Sequence, residues 1–379
     1  MPSLADTTAM LKRARLVAPG TARRGPDRPR RMVETTDFGA NPGGLRMLSY
    51  TPKGLPSDAP LVVVLHGCTQ GAEAFAQGSG WLTLADRFGF AVVAPEQVSG
   101  NNPNRCFNWF SPSDITRGGG EAASIAAMTA HATARFETDA DRVFVSGLSA
   151  GGAMAAVMLA TYPDVFAGGA IIAGLPYGVA TSVGEALQVM RRSDHRDAAA
   201  LAALVRGAAP QGRRTPRVSI WQGASDSTVS PANAEALVRQ WAGTLGLATE
   251  PDELLSLTGR SHAIWRSPQN GVVLLERHLI DDLGHGTPLA TGGPEGVGAT
   301  APYMLEAGVS AALESLRFWG LAPDAAKSGS NATAAPTPPT PEAEHSAVGE
   351  MVMRSVSGHA SASVQAVIAK ALRAAGLLR

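Results

Sequence analysis

Short apolar runs alternate with helical patterns along most of the chain. Leu61-Val62-Val63-Val64-Leu65 is apolar at every position, the mark of a strand covered on both faces, as in a parallel sheet. Comparable runs recur at residues 90–94, 143–145, 170–172, 218–221 and 272–275, and residues 45–50 read as a further strand. Helical patterns lie between several of them, at 81–88, 122–136, 150–161 and 231–245, and a last helix is expected over 301–318. Strand alternating with helix predicts an α/β fold, a mostly parallel central sheet with helices on both faces.

The pattern fades at both ends. Residues 1–32 are basic and poorly patterned, with a short helix expected at 4–16, and read as a flexible arm. They hold no apolar run after their charges, so they do not read as a secretory signal, and the sequence alone points to the cytoplasm. Residues 33–322 form the expected catalytic domain. Residues 323–347 are rich in Pro, Thr and Ala without periodicity and read as a linker. In 348–379, Val364, Ile368, Ala371, Leu372 and Ala375 fall at helical spacing with Lys370 and Arg373 between them, predicting a short amphipathic helix. It either docks on its own domain or binds a surface or partner.

Composition narrows the function classes. The 379 residues carry 32 Lys+Arg against 32 Asp+Glu, so no net charge draws the chain to nucleic acid or anionic lipid. No stretch approaches the ~20 apolar residues of a membrane span. The two cysteines, Cys68 and Cys106, provide no metal framework, and no His/Cys/Asp cluster stands at ligand spacing. Neither a metal nor an organic cofactor is expected.

The chemistry gathers around Gly147-Leu148-Ser149-Ala150-Gly151, where a predicted strand runs into a predicted helix. A serine hydroxyl is a weak nucleophile, and a sharp strand-to-helix turn exposes it above a sheet beside a base. The helix starting at Ala150 aims its N-terminus at the developing negative charge. Strand 61–65 is followed at once by His66-Gly67-Cys68-Thr69-Gln70, the position of the second oxyanion donor in the α/β-hydrolase fold. The backbone N–H groups of Cys68 and Ala150 are therefore the expected oxyanion hole, with His66 holding the loop. In this fold the acid and then the base follow the nucleophile. Asp226 stands in a polar turn just past strand 218–221, whereas Asp164, Asp194 and Asp197 precede that strand. Among later histidines, His285 lies in a glycine-flanked loop past the last strand. His262 is the alternative, His278 belongs to the strand, and His345 and His359 fall in the linker and tail. The expected triad is Ser149, Asp226 and His285.

The segments His66 to Gln70, Pro95-Glu96-Gln97, Asn102 with Arg105 to Phe110, Gly147 to Met154, Tyr162 to Ala170, Gly174 to Tyr177 and Gly223 to Val229 together resemble the polyhydroxybutyrate depolymerase family of esterases, over about residues 40–320. The resemblance implies the same triad. It also implies hydrolysis of short hydroxyalkanoate esters, polymeric or small, through an acyl-enzyme. Because the family includes feruloyl and acetylxylan esterases, these are the runner-up reading. A non-catalytic binding protein on a hydrolase scaffold is the third. Gln70, Asn102, Trp109 and Tyr177 are candidates to line the substrate groove, with Phe107 beside them, although core packing accounts equally well for the aromatics. The loops of Cys68 and Cys106 share the C-terminal edge of the sheet, and the resemblance favours a disulfide between them, which points to export. The family often places an aromatic soon after the histidine, whereas Gly286-Thr287-Pro288-Leu289 follows His285 here.

Overall fold

The computed structural model describes residues 31–208 and 214–324. The expected N-terminal arm helix, most of the linker, and the C-terminal helix with His345 and His359 lie outside the described residues. In chain order the elements are β1 Val33–Thr35, β2 Arg46–Tyr50, β3 Leu61–Leu65, α1 Ala72–Gly78, α2 Trp81–Phe88, β4 Ala91–Glu96, α3 Pro112–Ile115, α4 Gly120–Phe136, β5 Val143–Leu148, α5 Ala150–Thr161 and β6 Gly168–Ile172. They continue with α6 Val183–Arg192, α7 Ala198–Ala208, β7 Arg217–Gly223, α8 Ala232–Leu245, β8 Glu253–Leu257, β9 Arg260–Arg266, β10 Val273–Ile280, β11 Thr287–Leu289, β12 Met304–Glu306 and α9 Ala311–Phe318.

Ten strands form one sheet in the order β1-β2-β4-β3-β5-β6-β7-β10-β9-β8. The six from β4 to β10 pair in parallel, and antiparallel strands flank them on both sides. The all-apolar runs follow from this position. Leu61, Val63 and Leu65 pack into one hydrophobic cluster with α4, α5 and α8. Val62 and Val64 point the other way, into a second cluster with α1, α2 and α9. Alternate side chains of one strand thus serve two cores.

The expected last helix proves shorter than its pattern. It covers Ala311–Phe318, capped by the Ser310 hydroxyl accepting from Leu313 N. The apolar residues Met304 and Leu305 belong instead to β12, which pairs with β11 beside the sheet. Tyr303 and Gly308, both at positive φ, break any helix through this stretch. A compact unit ends at Ala322, and no helix among the described residues is long and apolar enough to cross a membrane.

Candidate active site

Parallel pairing carries the C-terminal ends of β3, β5, β7 and β10 to one edge of the sheet, where ligands of α/β folds bind. Ser149 stands directly after β5, at φ 57° and ψ −118°, a conformation that costs a non-glycine residue energy. Two anchors hold it: Ser149 N donates to Ile172 O (2.9 Å), and Ser149 O accepts from Ala153 N (2.8 Å) at the start of α5. The turn is tight enough that a Cβ at Gly147 would lie 2.2 Å from Gly151 O, and one at Gly151 2.3 Å from Leu65 O. Both glycines of the motif are therefore required by close backbone approach.

The loops after β7 and β10 are stitched together, since Ala224 N donates to Ile280 O (2.8 Å) and Ser225 N to Leu283 O (3.0 Å). This brings Asp226 and His285 side by side although 59 residues separate them. His285 Nδ1 is 2.7 Å from Asp226 Oδ2, and His285 Nε2 is 2.9 Å from Ser149 Oγ. Asp226 Oδ1 also accepts from Thr228 N (2.8 Å) and Val229 N (2.9 Å), and Oδ2 accepts from Gln222 Nε2 (3.0 Å). Burial pushes this carboxyl upward, but the bond and charge of His285 and the two backbone donors outweigh it, so its pKa lies below the ordinary value. Asp226 is thus a carboxylate at neutral pH. It requires the proton on His285 Nδ1 and leaves the Nε2 lone pair facing the serine hydroxyl.

Cys68 and Ser149 line one cavity of about 140 Å³. The Cys68 and Ala150 N–H groups, the expected oxyanion donors, border this serine and donate to no other backbone group among the described residues. His66, fully buried, is locked in one tautomer: its Nδ1 donates to Gly67 O (2.7 Å) while Nε2 accepts from Gln97 N (3.1 Å). Burial lowers its pKa, so it stays neutral and braces the loop. A disulfide joins Cys68 to Cys106 and ties the oxyanion loop to the loop after β4.

Of the proposed groove residues, only Gln70 lines this cavity. Trp109 and Phe107 are core residues, Phe107 packing on His66 with ring centroids 5.0 Å apart. Asn102 folds its own loop, donating to Asn108 Oδ1 and accepting from Asn104 N. Tyr177 is bonded through its backbone to Gln240 and packs on the core. The other acids have structural partners: Asp164 forms a forked ion pair with Arg117, Asp194 pairs with Arg196, and Asp197 accepts from Ala200 N in the first turn of α7.

His262 lies away from the serine, in a ladder across three neighbouring strands. Trp221, His278 and His262 stack at 3.7 and 3.9 Å. Glu276 accepts from His262 Nε2 (2.9 Å) and from the Ser219 hydroxyl (2.6 Å). His262, Glu276 and His278 gather ligand-type atoms within 4.8 Å. The two imidazoles are only 18° from parallel, so a single ion at bonding distance cannot lie near both ring planes, as metal–imidazole bonding requires. The cluster is a packing element as it stands.

Sequence patterning misses Gln222, Met190, Thr228 and Tyr303, the last three lining the cavity. Tyr303 approaches His285 edge-on, with ring centroids 6.0 Å apart. The aromatic beside His285 is thus a residue 18 positions later in the chain, outside the Gly286-Thr287-Pro288-Leu289 segment that follows the histidine.

Glu121 in α4 is buried beneath the disulfide loop and accepts from Asn108 N (2.8 Å), Asn108 Nδ2 (2.7 Å) and Gln97 Nε2 (2.5 Å). Burial pushes its carboxyl up to about 7 against these donors. Between pH about 4.5, the unfolded value, and about 7 the folded chain keeps a proton that the unfolded chain releases. The contribution of Glu121 to stability therefore falls as pH rises through that window, by on the order of 3 kcal/mol. Burial lowers the pKa values of His66 and His278 and works the other way in parent and variant alike, so the urea midpoint of Glu121→Gln relative to the parent is expected to rise from pH about 4.5 to about 7. An equal slope in both proteins rules the assignment out.

A mostly parallel sheet flanked by helices, with a serine, an imidazole and a carboxylate together at its C-terminal edge, places the chain in the α/β-hydrolase class. Residues 46–250, which include Ser149 and Asp226, match the family described as Esterase PHB depolymerase. The chain belongs to that family. It is 44% identical to a poly(3-hydroxyalkanoate) depolymerase C of Paucimonas lemoignei over 76% of this chain and 70% of that protein. It is 35% identical to a probable acetylxylan esterase A of Aspergillus flavus over 57% of this chain and 71% of that protein. An acetyl xylan esterase from Aspergillus awamori has a similar structure, with TM-score 0.64 and 26% identity, covering 77% of this chain and 99% of that one.

Proposed function

We propose that the chain hydrolyses short-chain hydroxyalkanoate esters, polymeric or oligomeric, with Ser149 as nucleophile, His285 as base and Asp226 as the carboxylate orienting it. Ser149 Oγ attacks the ester carbonyl as its proton passes to His285 Nε2. The oxyanion that forms is held by the N–H groups of Cys68 and Ala150, and losing one such donor raises a barrier by about 3–4 kcal/mol. His285 returns the proton to the departing alkoxide, leaving an acyl-Ser149. Water then attacks that ester with His285 again as base, releasing the hydroxy acid and restoring the serine.

The contact of His285 Nε2 with Ser149 Oγ at 2.9 Å supports the chemistry. The 44% identity to a depolymerase supports hydroxyalkanoates as substrates over the lower identity to acetylxylan esterases. The second reading, a feruloyl or acetylxylan esterase, is favoured by the structural similarity to the Aspergillus awamori enzyme over that chain's whole length. Turnover of hydroxybutyrate trimer, methyl ferulate and acetylated xylan separates the two. The trimer is expected to show the highest kcat/KM; turnover of only the other two overturns the substrate assignment.

A further inference from the structure

The catalytic cavity is small for any substrate longer than a single ester. Its volume is about 140 Å³, below the ~300–1,000 Å³ typical of small-molecule sites. It has room for the reacting carbonyl and one short group, so the rest of an oligomeric ester must lie elsewhere. A second recess of about 640 Å³ shares Thr69, Gln70 and Tyr303 with it. One wall is α1 and the other is the segment 298–304. Ala299 N donates to Gly78 O (2.9 Å) where the two walls meet. Among the described residues, no Asp, Glu, Lys, Arg or His lines this recess.

We infer that this recess is the binding track for the leaving-alcohol portion of an oligomeric hydroxyalkanoate ester, an inference that rests on the substrate reading above. Three observations carry it. The departing oxygen must lie beside His285 Nε2 to receive its proton, and Tyr303, set against the His285 ring, is one of the three residues common to both cavities. The leaving group is thereby directed past Tyr303 into the larger space. Next, the shared walls are held in place. Gln70 bridges them, its Oε1 accepting from Gly67 N (2.9 Å) and its Nε2 reaching Pro302 O (3.4 Å). Tyr303 keeps a φ of 64°, a conformation rare for an aromatic residue, while its carbonyl accepts from Thr287 N (2.8 Å) in the strand just past His285. Backbone strain of this kind persists where surrounding contacts fix it and concentrates at ligand sites. Finally, the lining suits the ligand. An aliphatic polyester chain carries methyl and methylene groups and carbonyl acceptors but no charge. Ala74, Ala301 and Pro302 offer exposed apolar surface, and Thr83, Gln77 and Thr300 offer side-chain donors.

Ala74 and Ala301 are exposed residues on opposite walls, where added bulk enters the recess without displacing the core. Ala74→Trp and Ala301→Trp are each expected to lower, at least tenfold relative to the parent, the ratio of kcat/KM on hydroxybutyrate trimer to kcat/KM on methyl acetate, whose leaving alcohol is only methanol. The acetate ester fits the small cavity, so a general loss of activity or folding cancels in the ratio. If the parent turns over trimer and both variants keep its ratio, the track is overturned and the substrate reading stands. If the ratio is kept for trimer but falls for methyl octanoate against methyl acetate, the recess holds acyl chains and the leaving-group assignment is overturned. If the parent fails on trimer altogether, the substrate reading falls and takes this inference with it.

Discussion

Ser149→Ala is expected to lower kcat on any ester at least ~10⁴-fold while leaving the melting temperature near that of the parent. The size of the loss follows from what remains. Without the hydroxyl, His285 has no proton to accept and no acyl-enzyme forms, so only direct attack by water is left, aided by the Cys68 and Ala150 N–H groups. The fold should tolerate the change. Ser149 holds the turn through its backbone, by the bonds to Ile172 O and from Ala153 N, and among the described residues its side chain hydrogen-bonds to His285 alone. Alanine at φ 57° meets the same strain that serine already meets. Single-turnover assays and labelling with a fluorophosphonate provide independent checks. The parent should take up one equivalent at Ser149 and the variant none. Near-parental turnover by the variant would refute the nucleophile assignment.

How much of this was legible in the sequence depended on burial. Strands β3 to β7 and the first half of β10 announce themselves because both their faces meet helices, so each carries an apolar or small run, such as Leu61–Leu65 and residues 273–275, even where a polar residue such as Glu96, Arg217, Gln222 or Glu276 flanks it. β8, Glu-Leu-Leu-Ser-Leu, lies at the sheet edge with Leu254 and Leu257 exposed, and β9 mixes Arg, Ser and His with its core residues. Neither carries a pattern that separates it from a loop. The nucleophile turn was readable because close backbone approach leaves only glycine at Gly147 and Gly151. Asp226 and His285 were readable from their places after β7 and β10, since parallel topology fixes which loops meet. Tyr303 was not. It reaches His285 through the pairing of β11 with β12, a long-range contact between three-residue strands, and its segment looks helical in projection. For Trp109 the sequence left groove lining and core packing equally open. A conspicuous aromatic near a predicted active edge suits either, and the structure buries it in the core, edge-on to Phe110. Gln222 left only a faint trace, a polar residue at the end of an apolar strand. Its purpose appears once its amide is seen bonded to both Asp226 and Val229 O.

That amide sharpens the expectation for the carboxylate. Asp226→Asn changes one atom, yet every group facing the site is a donor: two backbone N–H groups on Oδ1, and Gln222 Nε2 with His285 Nδ1 on Oδ2. An asparagine can satisfy only one side. Directing its carbonyl at the two backbone donors is the better choice, because an NH₂ there would confront both Thr228 N and Val229 N. The NH₂ then faces Gln222 and His285. Gln222 can turn its amide to accept only by giving up its bond to Val229 O, and His285 can accept only by moving its proton from Nδ1 to Nε2. In that tautomer Nε2–H points at Ser149 Oγ and cannot take the serine proton. kcat/KM is therefore expected to fall by ~10⁴-fold at neutral pH, the size found when the corresponding carboxylate of a serine protease is converted to its amide. The site geometry should stay intact. Asp226→Ala, which imposes no tautomer, is expected to retain more activity than Asp226→Asn despite removing more atoms. The reverse order would mean that Asp226 acts by its charge alone, and that the proton position on His285 is set by something other than this carboxylate.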